Sequence, residues 1–413
     1  MSRKIIVVGG GPAGMIAAIR AGQLGQDVTL IEKNSGHGKK LLLSGKGRCN
    51  LTNNIELDTF IRRFFHGGEF LRDAFAKFFN QDLIRFFEQR GLKLKTERQA
   101  RVFPVSDRAC SILKILDAEL GRNKVNSIYN SSLREIIVRD NTIEGVKLSG
   151  DAKIIPADKL ILCTGGVSYG FTGSTGDGIR FAGELGHRIT PLKPSLVALE
   201  IRGKYPKLLE GLSLKNLRLK FSSVKKQVVS EVGELLWTDS GISGPLVLSL
   251  SGKIVDWREK YEVSVDIDLK PALTHTQLDQ RLLREFKLFP KINIRNLLKN
   301  LLPLRLVDVF VEIAKINPGE RTSQITHEER QRIVYLLKGL RFEIAKSLPI
   351  EQAMVTSGGV CLRDINPRTM ESRLVKGLYF AGEMIDVDAD TGGFNLQAAF
   401  STGYLAGESA ALN

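Results

Sequence analysis

The chain has 413 residues, a formal charge of +15 from 60 Lys and Arg against 45 Asp and Glu, and 43% hydrophobic residues. That length predicts two or three domains, and the balance of apolar to charged residues excludes a disordered or fibrous chain. Four scattered cysteines, Cys49, Cys110, Cys163 and Cys361, argue against a disulfide framework, a zinc site or a dithiol redox motif; no apolar run is long enough to span a bilayer, and a reducing cytoplasm is the expected compartment.

The first predicted element is a strand over 4–8, a β-branched run suited to burial on both faces. It feeds into Gly9, Gly11 and Gly14 at G-x-G-x-x-G spacing, with Pro12 and Ala13 ahead of an Ala-rich helix over 15–24. A second strand over 27–31 ends on Glu32, 18 residues after Gly14. Strand, glycines, helix, strand and terminal acid in this order form the fingerprint of a dinucleotide lying across a βαβ unit. In that reading Gly9 permits the tight turn, Gly11 lets a pyrophosphate approach the backbone, and Gly14 lets helix pack on strand. The helix N-terminus presents free N–H groups to the phosphates, and Glu32 accepts from the adenosine ribose hydroxyls. A glycine-rich turn with no ligand is the competing reading, and the order of the five features argues against it.

Lys33, Lys39, Lys40, Lys46 and Arg48 follow with no acid between 33 and 48. They read as compensation for a pyrophosphate and an anionic substrate, with a solvated loop as the alternative. The Phe-rich stretch 60–90 is predicted helical, 107–123 an amphipathic helix, and 131–148 a hairpin turning at Asp140-Asn141. Residues 157–166 read as a buried strand ending in Thr164, Gly165 and Gly166. From about 191 the texture changes. Alternating runs at 217–221, 226–231, 234–238 and 261–269 predict an antiparallel β unit, and 274–339 is helical, broken at Asn317-Pro318-Gly319. After 351 the α/β texture returns, with a strand over 378–383 and a small-residue helix over 395–411. The boundaries so read are 1–190 and 353–413 for an interrupted dinucleotide-binding domain, 191–273 for an inserted β domain, 274–339 for a helical insert and 340–352 for a return strand. No second G-x-G-x-x-G follows a strand, so no separate half for a nicotinamide nucleotide is expected. His37, His66, His187, His275 and His327 lack the spacing of metal ligands or a catalytic pair and read as surface or packing residues; no metal is expected. The basic residues are spread without an interleaved aromatic RNA-binding signature.

Several stretches resemble flavoprotein segments. Leu162 to Gly166 resembles the strand-to-glycine turn after the flavoprotein β-meander. Gly173 to Gly178 resembles the T-G-D-G segment of fumarate-reductase-like flavoproteins. Gly382 and Glu383, with Asp386, resemble the late motif whose acid contacts the ribityl chain. Residues 39–54, which include Lys40, Ser44, Gly45, Gly47, Arg48, Cys49 and Asn50, resemble the signature of the BaiN-like (YhiN-like, aminoacetone-oxidase-like) family of FAD-binding oxidoreductases. Segments 101–104, 240–245, 355–360, 369–372 and 390–397 agree, so the resemblance covers nearly the whole chain. Two departures are Ala100, where many members have Gly, and Asp239, where many have His.

This resemblance implies an α/β fold: a Rossmann-like FAD-binding domain of the glutathione-reductase and fumarate-reductase type, interrupted by an antiparallel β-barrel-like domain and a small helical subdomain. It implies non-covalent FAD, with NAD(P)H as a transient reductant, and hydride transfer between a small-molecule substrate or NAD(P)H and flavin N5, oxygen or an unsaturated compound being the acceptor. Lys33, Lys40, Thr164, Gly165, Gly166, Glu383 and Asp386 are then expected around the cofactor. Gly392 and Gly393 allow close approach, and Phe394 and Asn395 open a helix aimed at the flavin N1/O2 edge. Arg48 is expected to stabilise the anionic reduced flavin and Asn50 to touch the ring; Cys49 reads as either a flavin-proximal thiol or a packed residue. The expected partner is a small molecule, with no nucleic acid and no membrane; a homo-oligomer is compatible. Flavin-dependent RNA modification and a flavin sensor without turnover are the alternatives.

Overall fold

In the computed structural model, which describes residues 2–151 and 153–413, the run Lys4–Val8 forms β1, buried from Ile5 onward. The helix Pro12–Gln23 (α1) starts with proline in its first turn, where the missing N–H costs nothing. Asp27–Ile31 (β2), helix Ala109–Arg122 (α2), and strands Asn126–Ile128 (β3), Lys159–Leu162 (β4) and Leu378–Phe380 (β5) follow, and Phe394–Leu412 is the last helix, α3. The sheet is parallel throughout, in the order β5-β4-β1-β2-β3. Val8 pairs with Ile31 on one side and Leu162 on the other, so the carboxyl ends of the three central strands are level. The loops after them therefore gather at one edge, the place where open α/β sheets bind ligands. Helices α1 and α3 touch backbone to backbone: a Cβ on Gly403 or Gly407 would overlap the carbonyls of Ala13 or Ala17. That close approach is why α3 is built of small residues.

This first unit comprises residues 2–195 and 350–413. The predicted helix over 60–90 is instead three short helices, Leu57–Ile61, Arg72–Lys77 and Asn80–Glu88, with the strand Phe64–His66 among them. The break falls at Gly67, whose φ of +69° and close packing against Val387 suit only glycine. The phenylalanines form an edge-on cluster in which Phe60 meets Phe75, Phe79 and Phe394, anchoring the start of α3. The hairpin Leu133–Arg139 with Thr142–Leu148 turns at Asp140 and Asn141, φ +47° and +56°, as a tight two-residue turn requires. A third strand, Ile154–Pro156, extends it.

The second unit, Leu196–Pro349, is a closed antiparallel barrel with helices. Its strands run Ser213–Ser222, Gly233–Trp237, Gly241–Ser243, Leu199–Ile201, Leu340–Ser347 and Val263–Asp268, and the last pairs back onto the first. Gln227–Val229 adds a hairpin arm. The helix Pro245–Arg258, unexpected from the sequence, packs against five of these strands through Leu246, Val247, Ile254 and Trp257. Helices His275–Leu288, Ile294–Leu298, Leu304–Ala314 and His327–Lys338 share one core with the barrel: Leu282, Phe310 and Leu337 lie with Val265, Ile267 and Leu340. Thr274 with Gln277 and Thr326 with Glu329 form capping boxes that fix two helix starts. No described helix is long and apolar enough to cross a membrane.

Candidate functional site

The glycine loop after β1 divides its labour. A Cβ on Gly14 would overlap the Gly9 carbonyl, so glycine there is dictated by helix–strand packing. Gly11 differs: its backbone is extended, and a Cβ would meet nothing within 4 Å. The protein leaves open space at Gly11, ahead of Pro12, Ala13 and the unpaired N–H groups of the α1 N-terminus. Glu32 is buried beside that loop; Oε2 accepts from Gly10 N (2.7 Å), and Oε1 accepts from Asn34 N (2.8 Å) and Nδ2 (2.7 Å). This open cradle with an oriented acid at its side fits the diphosphate and ribose of a dinucleotide. His37, read as a surface or packing residue, is buried against Gly10, with Nδ1 2.9 Å from Asp117 and Nε2 without a partner among the described residues.

The basic run is drawn into specific pairs. Lys33 Nζ donates to Thr175 Oγ1 and Asp177 Oδ2, both at 2.6 Å. Burial would raise the Asp177 carboxyl, but the bonds from Lys33 and Thr175 outweigh it and hold it below its usual range. Lys39 Nζ donates to Asn34 Oδ1. Lys40 Nζ reaches both oxygens of Glu383, at 2.6 and 2.9 Å, and Ser168 Oγ at 2.7 Å. Glu383 Oε1 also accepts from Ser168 Oγ and Thr356 N, each at 2.8 Å. Sequence reasoning missed Ser168 and Thr356; their role depends on partners far along the chain. Thr356 also packs on Gly166 of the Thr164-Gly165-Gly166 turn, while Thr164 Oγ1 is buried without a partner among the described residues. Asp386 accepts from Thr190 Oγ1 (2.7 Å).

The signature loop is held in an unusual backbone. Gly45, Lys46, Gly47 and Cys49 all have positive φ; at Lys46 and Cys49, which carry side chains, that is backbone strain of the kind that concentrates at functional sites. Ser44 Oγ donates to the Leu41 carbonyl, and a Cβ on Gly45 would crowd Asn50 N. Asn50 Oδ1 is buried without a partner among the described residues. Asn53 Nδ2 donates to Gln99 O (3.0 Å) and Gly392 O (3.1 Å), tying this loop to the late motif. Gly393, φ +97°, lies against the Thr52 backbone, so this glycine answers to a chain crossing. Asn395 accepts from Ala389 N and donates to Ala389 O, both at 2.9 Å. Phe394 is buried at the start of α3.

Arg48 stands apart from these groups. Its guanidinium donates to Asp107 Oδ1 (2.8 and 2.6 Å) and Glu97, and lies 4.2 Å above the Phe103 ring. Lys95 joins through Asp107 at 2.8 Å. The bond from Arg48 lowers the Glu97 carboxyl, those from Lys95 and Arg48 lower Asp107, and the two acids raise Arg48. Two cations face two carboxylates here, so Arg48 is not the uncompensated charge the sequence suggested.

Cys49 and Cys163 are fully buried, and burial pushes the Cys49 thiol up to about 12 and Cys163 in the same direction. A thiol reagent at neutral pH is expected to titrate Cys110 and Cys361 in the native protein and all four thiols after denaturation. Early loss of Cys49 would contradict this packing. Ala100, where the resemblance expects glycine, has φ +56°, and Gln99 before it +60°. The left-handed region costs a non-glycine residue about 1–2 kcal/mol, and glycine returns part of that through unfolded-chain entropy. Ala100→Gly is therefore expected to stabilise the protein by about 0.5–1 kcal/mol in denaturant unfolding. Among the described residues no group of three or more His, Cys, Asp or Glu is placed to hold a metal ion.

A family model described as "HI0933-like protein Rossmann domain" matches residues 3–409. The chain is 32% identical to the 3-dehydro-bile acid delta(4,6)-reductase of Clostridium scindens over 99% of both chains. It is 30% identical to the ribosomal RNA dihydrouridine synthase of Escherichia coli over 97% of this chain and 96% of the relative. Among solved structures it is similar to the 3-ketosteroid-delta4-(5alpha)-dehydrogenase of Rhodococcus jostii, with a TM-score of 0.51 and 14% identity over 100% of this chain and 97% of that one. A flavocytochrome c3 fumarate reductase gives a TM-score of 0.50 at 16% identity, over 99% of this chain and 78% of that one. At such identities the likeness is one of fold: a Rossmann-like FAD-binding domain carrying a large antiparallel sheet. The signature at 39–54 and the family model agree, and the chain belongs to the HI0933-like Rossmann domain family.

Proposed function

We propose that this chain is an FAD-dependent oxidoreductase that adds a hydrogen pair across a carbon–carbon double bond conjugated to a carbonyl in a small ring compound. The observation that carries the cofactor half is the open space at Gly11, fronting the α1 N-terminus and flanked by Glu32. The backbone of Gly9, Gly11, Pro12, Ala13 and Gly14 would hold the pyrophosphate and Glu32 the ribose. Lys40, Glu383 and Asp386 would face the ribityl chain, and Asn50 with Gly392, Gly393 and Asn395 the ring. Bound FAD supplies a hydride at a ring nitrogen. The α3 N-terminus offsets negative charge on the ring edge.

The substrate half is supported by two relatives at similar distance. One is named for reduction of ring double bonds in a 3-dehydro-bile acid, the other for making dihydrouridine. The chemistry common to both is a ring double bond polarised by a carbonyl. Heat release from purified protein is expected to yield FAD, identified by chromatography; recovery of NAD, or of no nucleotide from folded protein, would overturn the cofactor assignment. With one G-x-G-x-x-G in the chain, NADH or NADPH acts as a visitor. Its reduction of the flavin is expected to saturate weakly, with a constant of about 0.1–1 mM; stoichiometric co-purification of NAD(P) would contradict that.

A second reading makes the ring a uracil within RNA. Residues 286–307 carry Lys287, Lys291, Lys299 and Arg305, with Arg295 paired to the flanking Asp308 at 2.6 Å, and no carboxylate of their own. Leu288 and Phe289 are exposed in the same stretch. A gel shift against ribosomal RNA fragments that weakens steeply with salt would favour this reading, and no shift at physiological salt would remove it.

A further inference from the structure

The strand Phe64–His66 pairs antiparallel with Asp388–Ala389, and the register sets His66 opposite Asp388. Directly paired residues share a face of the ladder. The Asp388 side chain is 2% exposed and accepts from three groups: Ser195 Oγ at 2.7 Å, Ser357 Oγ at 3.1 Å and His66 Nδ1 at 2.8 Å. The His66 side chain is 55% exposed. A buried, triply bonded carboxylate thus grips one nitrogen of an imidazole whose ring reaches the surface. Such an acid fixes the ring's tautomer and orientation. The segment bearing Asp388 runs on at once into the late motif: the Asn395 side chain clasps Ala389, and Gly392 and Gly393 lead into α3. On the reading above, that motif borders the reacting ring.

We infer that His66, oriented by Asp388, is the proton donor of the reduction; this rests on the proposed reading that the substrate is a conjugated carbonyl compound. The β carbon of the substrate receives the hydride that reduced flavin supplies, its carbon–carbon π bond breaks, and the electron pair passes to the α carbon and carbonyl. The α carbon then takes the proton from His66 Nε2, leaving a neutral imidazole that water reprotonates and an oxidised flavin that a nicotinamide nucleotide reduces again. Asp388 is the positioning residue, and Ser195 and Ser357 hold it. No histidine spacing in the sequence announces this pair, which joins residues 322 apart.

The test uses photoreduced holoprotein mixed anaerobically with 4-androstene-3,17-dione. His66→Gln is expected to slow reoxidation by this enone about 100-fold, the usual contribution of a positioned acid, while reoxidation by dioxygen stays within about twofold of wild type. His66→Gly is expected to regain about tenfold when free imidazole is added. Independently of turnover, nitrogen-15 spectra of the apoprotein should place a proton on His66 Nδ1, and Asp388→Asn should change that signature. If wild type is reoxidised by the enone and His66→Gln keeps pace with it, the proton-donor assignment falls alone. Wild type that stays reduced with the enone would bring down the substrate reading and this assignment together. A His66 signature indifferent to Asp388→Asn would remove Asp388 as its positioning group.

Discussion

Gly11→Val is expected to give a folded, soluble and colourless protein. The extended backbone at Gly11 suits a residue with a side chain, and a Cβ there would meet no described protein atom within 4 Å. The added isopropyl group instead fills the space assigned to the pyrophosphate, at the point where the helix N–H groups must reach the phosphate oxygens. Loss of that contact should weaken FAD binding by about three orders of magnitude, about 4 kcal/mol. Gly14→Val is the opposing control. Its side chain would overlap the Gly9 carbonyl, so the change strikes folding itself, through forced overpacking of β1 against α1. Flavin-to-protein absorbance together with circular dichroism separates the two outcomes. Normal flavin content in folded Gly11→Val would show that the open space serves something else.

Lys40→Met is expected to destabilise the apoprotein by about 1–2 kcal/mol, between the worth of an exposed ion pair and that of a buried one. Lys40 is the cation the structure places on Glu383, whose side chain is 21% exposed. Without it, Ser168 and Thr356 still donate to Oε1, but Oε2 loses the cation that the structure sets against it. Lys40→Met combined with Glu383→Gln should recover most of the loss, giving a coupling of about 1 kcal/mol or more in a double-mutant cycle. Additive losses would mean that the pair is incidental to stability.

These residues also explain what the sequence carried. β1, the glycine loop, α1, β2 and Glu32 are legible because every part acts within one short βαβ unit. The helix Pro245–Arg258 is not, because its first half, Pro245 to Leu250, is almost wholly apolar and the charges Lys253, Asp256 and Arg258 come only in its second half, leaving no one-sided periodicity along its length. The 60–90 stretch misleads in the opposite way: its phenylalanines serve a three-helix cluster around Phe60 rather than one helix face. Arg48 looks like a free cation in its own segment; its neutralising acids, Glu97 and Asp107, arrive from 49 and 59 residues away. Gly393 reads as an approach site for a ligand, and the structure adds a crossing against the Thr52 backbone that its own segment does not announce. The grip of Asp388 on His66 needs a register that only the fold supplies.

The central claim is that this chain uses FAD to saturate a carbonyl-conjugated double bond. It is tested most directly by reducing the wild-type holoprotein without oxygen, adding 4-androstene-3,17-dione in excess, and following the yellow absorbance while products are separated. The oxidised spectrum is expected to return with one equivalent of ring-saturated dione per flavin. A flavin that stays reduced in the presence of the enone and recovers only when air is admitted would contradict it.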